Sequence, residues 1–171
     1  MAGAGQHHHP SPPPRRRRPK KSDGSGGQAE QALGKSRGGW GTKIHAAVSG
    51  LMLPVTVHLS AGQQADVSHA KRLLGAVRAG AEVGAVIADK GYDSKAVVEA
   101  VQAMGAEAVI PTLSTRKEQR QIDKDLYKER NLAERFWNKV KHFRRVATRY
   151  EKTARNFLAF VLVASLMVLL R

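Results

Sequence analysis

Ala85-Val-Ile-Ala-Asp-Lys-Gly-Tyr-Asp93 sets four consecutive apolar residues directly before an acid. A run that short, apolar without alternation and bounded by polar residues, predicts a strand buried on both faces. Asp89 stands at its carboxyl end. The residues from Ser94 to Met104 then read as a helix capped by Asp93 and closed by Gly105, and Glu107-Ala-Val-Ile110 reads as a further strand before Pro111. Strand, helix and strand in that order imply a parallel pair, because a crossover helix brings the chain back to the same end of the sheet. The fold class is therefore α/β.

Working outward toward the N-terminus, Lys43 and His45 alternate with Ile44, Ala46 and Val48, and Val55-Thr-Val-His-Leu59 follows after a turn over Gly50 to Pro54. The two segments predict an antiparallel hairpin, with His45 and His58 as strand surface residues rather than ligands. Asp66 is placed to cap a helix from Val67 to about Val77, with Leu73, Leu74 and Val77 on its inner face. Residues 1 to 34 read differently. His7 to His9, Pro12 to Pro14, Arg15 to Arg18 and a Ser/Gly-rich stretch bury too little apolar surface to offset chain entropy. They are expected to form a disordered basic tail, leaving residues 35–171 as the folded domain.

The 171-residue chain carries a formal net charge of +15, unevenly spread. Residues 1–45 hold nine Lys/Arg against two acids, residues 46–115 five against six, and residues 116–155 fourteen against six. A neutral body between two basic ends favours a polyanionic partner, nucleic acid above all, because Lys and Arg neutralise phosphates and release counterions. With no cysteine there is neither a disulfide framework nor a thiolate zinc site. The apolar run from Phe157 to Leu170 falls short of the roughly 20 residues a membrane span requires, so it reads as a buried helix lying on a sheet, with no membrane partner.

Tyr127 to Lys141 reads as one amphipathic helix. At about 100° per residue, Tyr127, Arg130, Glu134 and Lys141 share a face roughly 60° wide. Leu132, Phe136, Val140 and Phe143 fall on the other side. Asp89 at a strand end and Glu134 on a helix are oxygen donors of the kind that hold a hard divalent cation, Mg²⁺ or Mn²⁺. In a basic protein such a pair points to phosphoryl transfer on nucleic acid. The plainer readings stay open: an aspartate before a helix is commonly a cap, and a Glu four residues after an Arg is commonly a helix ion pair. Two acids are also fewer than such a metal site normally uses.

Several spaced motifs together carry a resemblance. Tyr127, Arg130, Glu134 and Lys141 fit Tyr-x2-Arg-x3-Glu-x6-Lys; Gly38 to His45 fits Gly-Gly-x-x-Thr-Lys-Ile-His; Ala88 to Asp93 reads Ala-Asp-Lys-Gly-Tyr-Asp; and Phe143 to Tyr150 reads Phe-Arg-Arg-Val-Ala-Thr-Arg-Tyr. Over residues 28 to 171 the chain resembles the catalytic portion of bacterial insertion-sequence DDE transposases. The resemblance implies an RNase H-like mixed sheet flanked by helices. It makes Asp89 the second catalytic acid and Glu134 the third, both metal ligands for Mg²⁺ or Mn²⁺, in cleavage and strand transfer of DNA. It places Arg130 and Lys141 near phosphates and Tyr127 near the transposon end, with Arg144, Arg145 and Lys43 as further DNA contacts. The implied partners are terminal inverted repeats, target DNA and a second copy in a synaptic complex, in a bacterial cytoplasm at the nucleoid.

The chain departs from the family at one place. The first catalytic aspartate should lie on a first strand upstream of Gly38, and Asp23, the only earlier Asp, has no apolar strand around it. The sheet is therefore expected to lack its first strand. The chain reads as the downstream part of a transposase, joined to an upstream part by frameshifting or left by truncation, and inactive alone. The alternative is a non-catalytic basic protein that binds nucleic acid.

Overall fold

The computed structural model describes residues 2–10 as backbone, together with Gly27, residues 30–80 and residues 82–170. Its strands are β1 (Ala2–Pro10), β2 (Gly34–Ser36), β3 (Gly39–Ser49), β4 (Pro54–Ala61), β5 (Ala85–Ala88) and β6 (Glu107–Val109). The helices are α1 (Val67–Gly80), α2 (Lys95–Gln102), α3 (Lys124–Lys128), α4 (Arg130–Lys141), α5 (Arg144–Ala147) and α6 (Ala154–Leu169), with a 3-10 turn at Lys90–Tyr92. One mixed sheet runs in the order β2-β3-β1-β5-β6, and β4 pairs with β3. The chain forms two compact units, one of Met1–Gln6, His45–Val57 and Ala65–Asn138, the other of His7–Ile44, His58–Gln64 and Lys139–Arg171.

In the first unit β5 is the element around which the helices gather. All four of its residues are buried, and alternate side chains enter two different cores. Val86 and Ala88 join Leu73, Leu74 and Val77 of α1, Val97 and Val101 of α2, and Tyr92. Ala85 and Ile87 join Val109, with Ile122, Leu126 and Tyr127 packed against them. Burial on both faces is why this strand is apolar without alternation. β5 and β6 pair in parallel, Ala85 opposite Glu107 and Ile87 opposite Val109, as the strand-helix-strand reading requires.

β1 corrects the expected unfolded tail at Ala2–Pro10, and with it the expected gap in the sheet. Its first residues pair in parallel with β5, Ala2 opposite Val86, Gly3 opposite Ile87 and Ala4 opposite Ala88. A strand of Ala, Gly, Gln and His offers little apolar surface, yet ladder hydrogen bonds satisfy its backbone from a neighbour, and composition does not report that. The rest of the expected tail, including Pro12 to Pro14, Arg15 to Arg18 and Asp23, lies outside the described residues.

Two helical expectations also change. Tyr127 to Lys141 is not one helix. Asp123 caps α3 through the N–H groups of Asp125 and Leu126, and Glu129 closes it, its own N–H reaching Leu126 O at 3.1 Å. That tightened last turn ends α3 before α4 begins at Arg130. Likewise Asp93 does not cap α2. Ser94 does, its hydroxyl accepting from Val97 N at 3.2 Å, and Asp93 faces elsewhere.

In the second unit α5 and α6 pack together, and only one stripe of α6, Phe157, Val161, Ala164 and Ser165, is buried. Leu162, Val163, Leu166 and Met167 are exposed, so the helix expected to be buried is covered along one stripe only. Among the described residues no helix is long and apolar enough to cross a membrane.

Candidate active site and nucleic-acid face

Asp89 follows β5 with its backbone still extended, φ −77 and ψ 170, so strand alternation carries it to the Ala85 and Ile87 face. Its Oδ1 accepts from Gly91 N at 2.8 Å and starts the 3-10 turn. Among the described residues its other oxygen has no protein partner. Tyr127 of α3 packs on this same face of β5. The first turn of α4 comes here too: Leu132 and Ala133, with Glu129, line a small cleft together with Ile87, Val48, Ser49 and Gly50.

Glu134 comes next on α4, half exposed, its Oε1 held by Arg130 Nη2 at 2.5 Å. Arg130 also lies over the Tyr127 ring, 5.8 Å from its centroid. Tyr127, Arg130 and Glu134 thus form a connected row in spite of the break at Glu129, while α4 buries Ala133, Phe136, Trp137 and Val140. Asp89 and Glu134 make no hydrogen bond to each other; both belong to the first unit, Asp89 two residues beyond Ile87 and Glu134 one beyond Ala133, which line the cleft. Each keeps one carboxylate oxygen without a protein partner among the described residues, and hard oxygen donors of that kind suit Mg²⁺ or Mn²⁺. By donor chemistry the two acids are of the type such an ion takes, but they are fewer than its site normally uses.

The other predicted DNA contacts belong to the second unit. Lys43 donates to Gln64 O at 2.8 Å. Lys141 ends α4 and Arg144 begins α5, both exposed. Arg145 pairs with Glu151 at 3.4 Å and lies over Phe160. Its charge is therefore partly spent within the fold.

Two polar clusters were not foreseen as such. In the first unit Asp93 has no exposed side-chain surface, and its Oδ2 accepts from Arg116 Nε at 2.6 Å and from Leu113 N at 2.9 Å. Its Oδ1 accepts from Arg120 Nη2 at 3.2 Å. Burial pushes this carboxyl up, but the Leu113 N–H, the two guanidiniums and the Arg116 charge outweigh it and hold it below its ordinary value. In the second unit Arg149 is buried and donates to Gln31 O, Thr42 Oγ1, Glu151 O and Lys152 O. Burial pulls its pKa down and the Glu151 charge pushes it back up. Thr42 and Arg149 come from two of the motifs quoted above, which therefore meet as one buried structural cluster.

The profile of the Transposase DDE domain matches residues 15–169. The chain belongs to the DDE transposase family. Among curated relatives it is 39% identical over 131 residues to the Brucella ovis protein described as "Putative transposase for insertion sequence element IS6501", an alignment covering 76% of this chain and 98% of that protein. Membership of an insertion-sequence transposase family brings a role in DNA transposition, with DNA as substrate and, across the family, divalent-metal chemistry.

Proposed function

We propose that this transposase takes part in metal-dependent cleavage and strand transfer at insertion-sequence ends, with Asp89 and Glu134 as catalytic acids. The observation that carries this reading is the common face of β5: Asp89 ends the strand on the side where Tyr127 packs, and α4 begins beside Ile87. The mixed sheet with helical cores on both faces of β5 supports an RNase H-like fold. Asp89 and Glu134 would hold Mg²⁺ or Mn²⁺. When bound, the ion supplies Lewis-acid stabilisation of charge on the phosphoryl oxygens.

The chain's own residues orient the DNA. Arg130 is pre-positioned by Glu134 and by the Tyr127 ring, and its planar fork suits a phosphate. Lys141, Arg144, Arg145 and Lys43 add backbone contacts that carry affinity without sequence choice. No residue of β1 is acidic, so the strand beside β5 brings no first carboxylate. We infer that the first acid comes from another polypeptide segment, such as an upstream transposase part joined by frameshifting, within a synaptic homo-oligomer.

The test is a strand-transfer assay on terminal-repeat DNA with Mg²⁺ or Mn²⁺, in which the chain is supplied with the upstream part. Asp89→Ala and Glu134→Ala should each abolish joining while DNA binding persists. Undiminished joining by either variant would remove that residue from the site. The Arg130–Glu134 ion pair favours a second reading, a basic protein that binds DNA without cutting it. Binding by the wild type with no joining under any of these conditions would select it.

A further inference from the structure

The loop between β6 and α3 contains a feature the catalytic reading does not use. Thr112, Arg116, Lys117, Glu118, Gln119 and Arg120 line a polar cavity of about 530 Å³, in which three cations face one acid. The loop is held in shape internally. Arg120 N donates to Thr112 Oγ1, and the Gln119 side chain donates to the carbonyls of Leu113 and Arg116. Arg120 Nη1 reaches Ile110 O at 2.6 Å.

Asp93 grips this loop from beneath through both guanidiniums and the Leu113 N–H. It also closes the 3-10 turn that Asp89 opens, so one short turn carries Asp89 at one end and the basic loop at the other. β5 and β6 are parallel neighbours, and Asp89 and the loop therefore leave the sheet at the same end. Arg116 spends Nε and Nη2 on Asp93 and Arg120 spends both Nη atoms on protein oxygens. Arg116 Nη1, Arg120 Nε and the Lys117 ammonium have no protein partner among the described residues. Guanidiniums already fixed by a buried carboxylate lose little side-chain freedom when they bind a further anion.

We propose that residues 112–120 form a second DNA-backbone site, a phosphate cradle that Asp93 builds and fixes beside the Asp89 turn. It rests on the reading of the chain as a DNA-acting transposase and adds to it a contact outside the row of Tyr127, Arg130 and Glu134. The ligand is a phosphodiester backbone, because the cavity presents cations and hydrogen-bond donors and no aromatic platform for a base.

Lys117→Ala is the decisive variant, since the side chain is exposed and makes no contact on which folding depends. Affinity of the full chain for a short DNA duplex is measured by fluorescence anisotropy across a salt series, beside Lys141→Ala and a thermal melt. The expected result for Lys117→Ala is affinity reduced about fivefold on every duplex sequence, a salt slope shallower by about 0.9, and an unchanged melting temperature. Affinity and slope equal to wild type, with Lys141→Ala still weakened, would overturn the cradle and leave the transposase reading standing. Absence of salt-dependent DNA binding in the wild type would overturn both.

Discussion

Asp93, fully buried and accepting from two guanidiniums and a backbone N–H, is worth more to the fold than its place before a helix implies. Removing the carboxylate leaves Arg116 and Arg120 without their anchor, but both are partly exposed, at 43% and 27%, and can turn to water. Asp93→Ala should therefore cost about 2–3 kcal/mol, the scale of a charge-assisted hydrogen-bond set, measured by urea unfolding. The pH dependence has a definite sign. The folded-state pKa lies below the unfolded value of about 3.9, so the contribution is complete above that pH and is lost as pH falls through the lower folded value. A wild type that loses no more stability than Asp93→Ala below about pH 4 would contradict this. Partners 23 and 27 residues away are not visible in a local pattern, which is why sequence reading assigned Asp93 to the neighbouring helix. Arg149 and Thr42, 107 residues apart, were legible as motifs and not as a pair for the same reason.

At the scale of elements, what the sequence made plain was whatever hydrophobic period encodes. β5, α2 and β6 lie where an apolar run, a capped helix and a second run put them, and β3 and β4 pair as expected, but Ile44 to Val48 are all buried, His45 among them, and so is His58, so neither histidine is the surface residue that alternation implies. The break at Glu129 was hidden because Tyr127, Arg130 and Glu134 keep one helical period across it, and a tightened turn leaves no trace in that spacing. The exposed half of α6 was hidden for the opposite reason: an all-apolar helix does not say which side is covered. Caps are finer still. Because the Ser94 hydroxyl, not Asp93, satisfies the first turn of α2, Ser94→Ala should cost about 1 kcal/mol, and less than Asp93→Ala. Equal unfolding free energies for the two variants would mean that the roles are misassigned.

Across the whole molecule, charge was the feature most readily read and β1 the least. The +15 balance is a property of composition, whereas β1 owes its place to ladder bonds with β5 that any non-proline residue can make. The candidate site divides along the same line. Asp89 and Glu134 stood out as chemical types in spaced motifs, but the β5 face that Asp89 shares with Tyr127 emerges only once the cores on its two sides are separated.

The register of β1 also offers a point of repair. Ala4 is opposite Ala88, Gly5 is the next residue of β1 and Asp89 the next after β5, and a carboxylate written in at Gly5 tests whether the register runs on to the acid. Gly5→Asp should raise Mn²⁺ affinity about tenfold in a direct titration, by adding a third oxygen donor, and Asp89→Ala should cancel the gain. Affinity unmoved by Gly5→Asp would show that this strand does not run beside the acid. A gain would turn the central strand into a programmable seat, from which the completeness of the catalyst is set one side chain at a time.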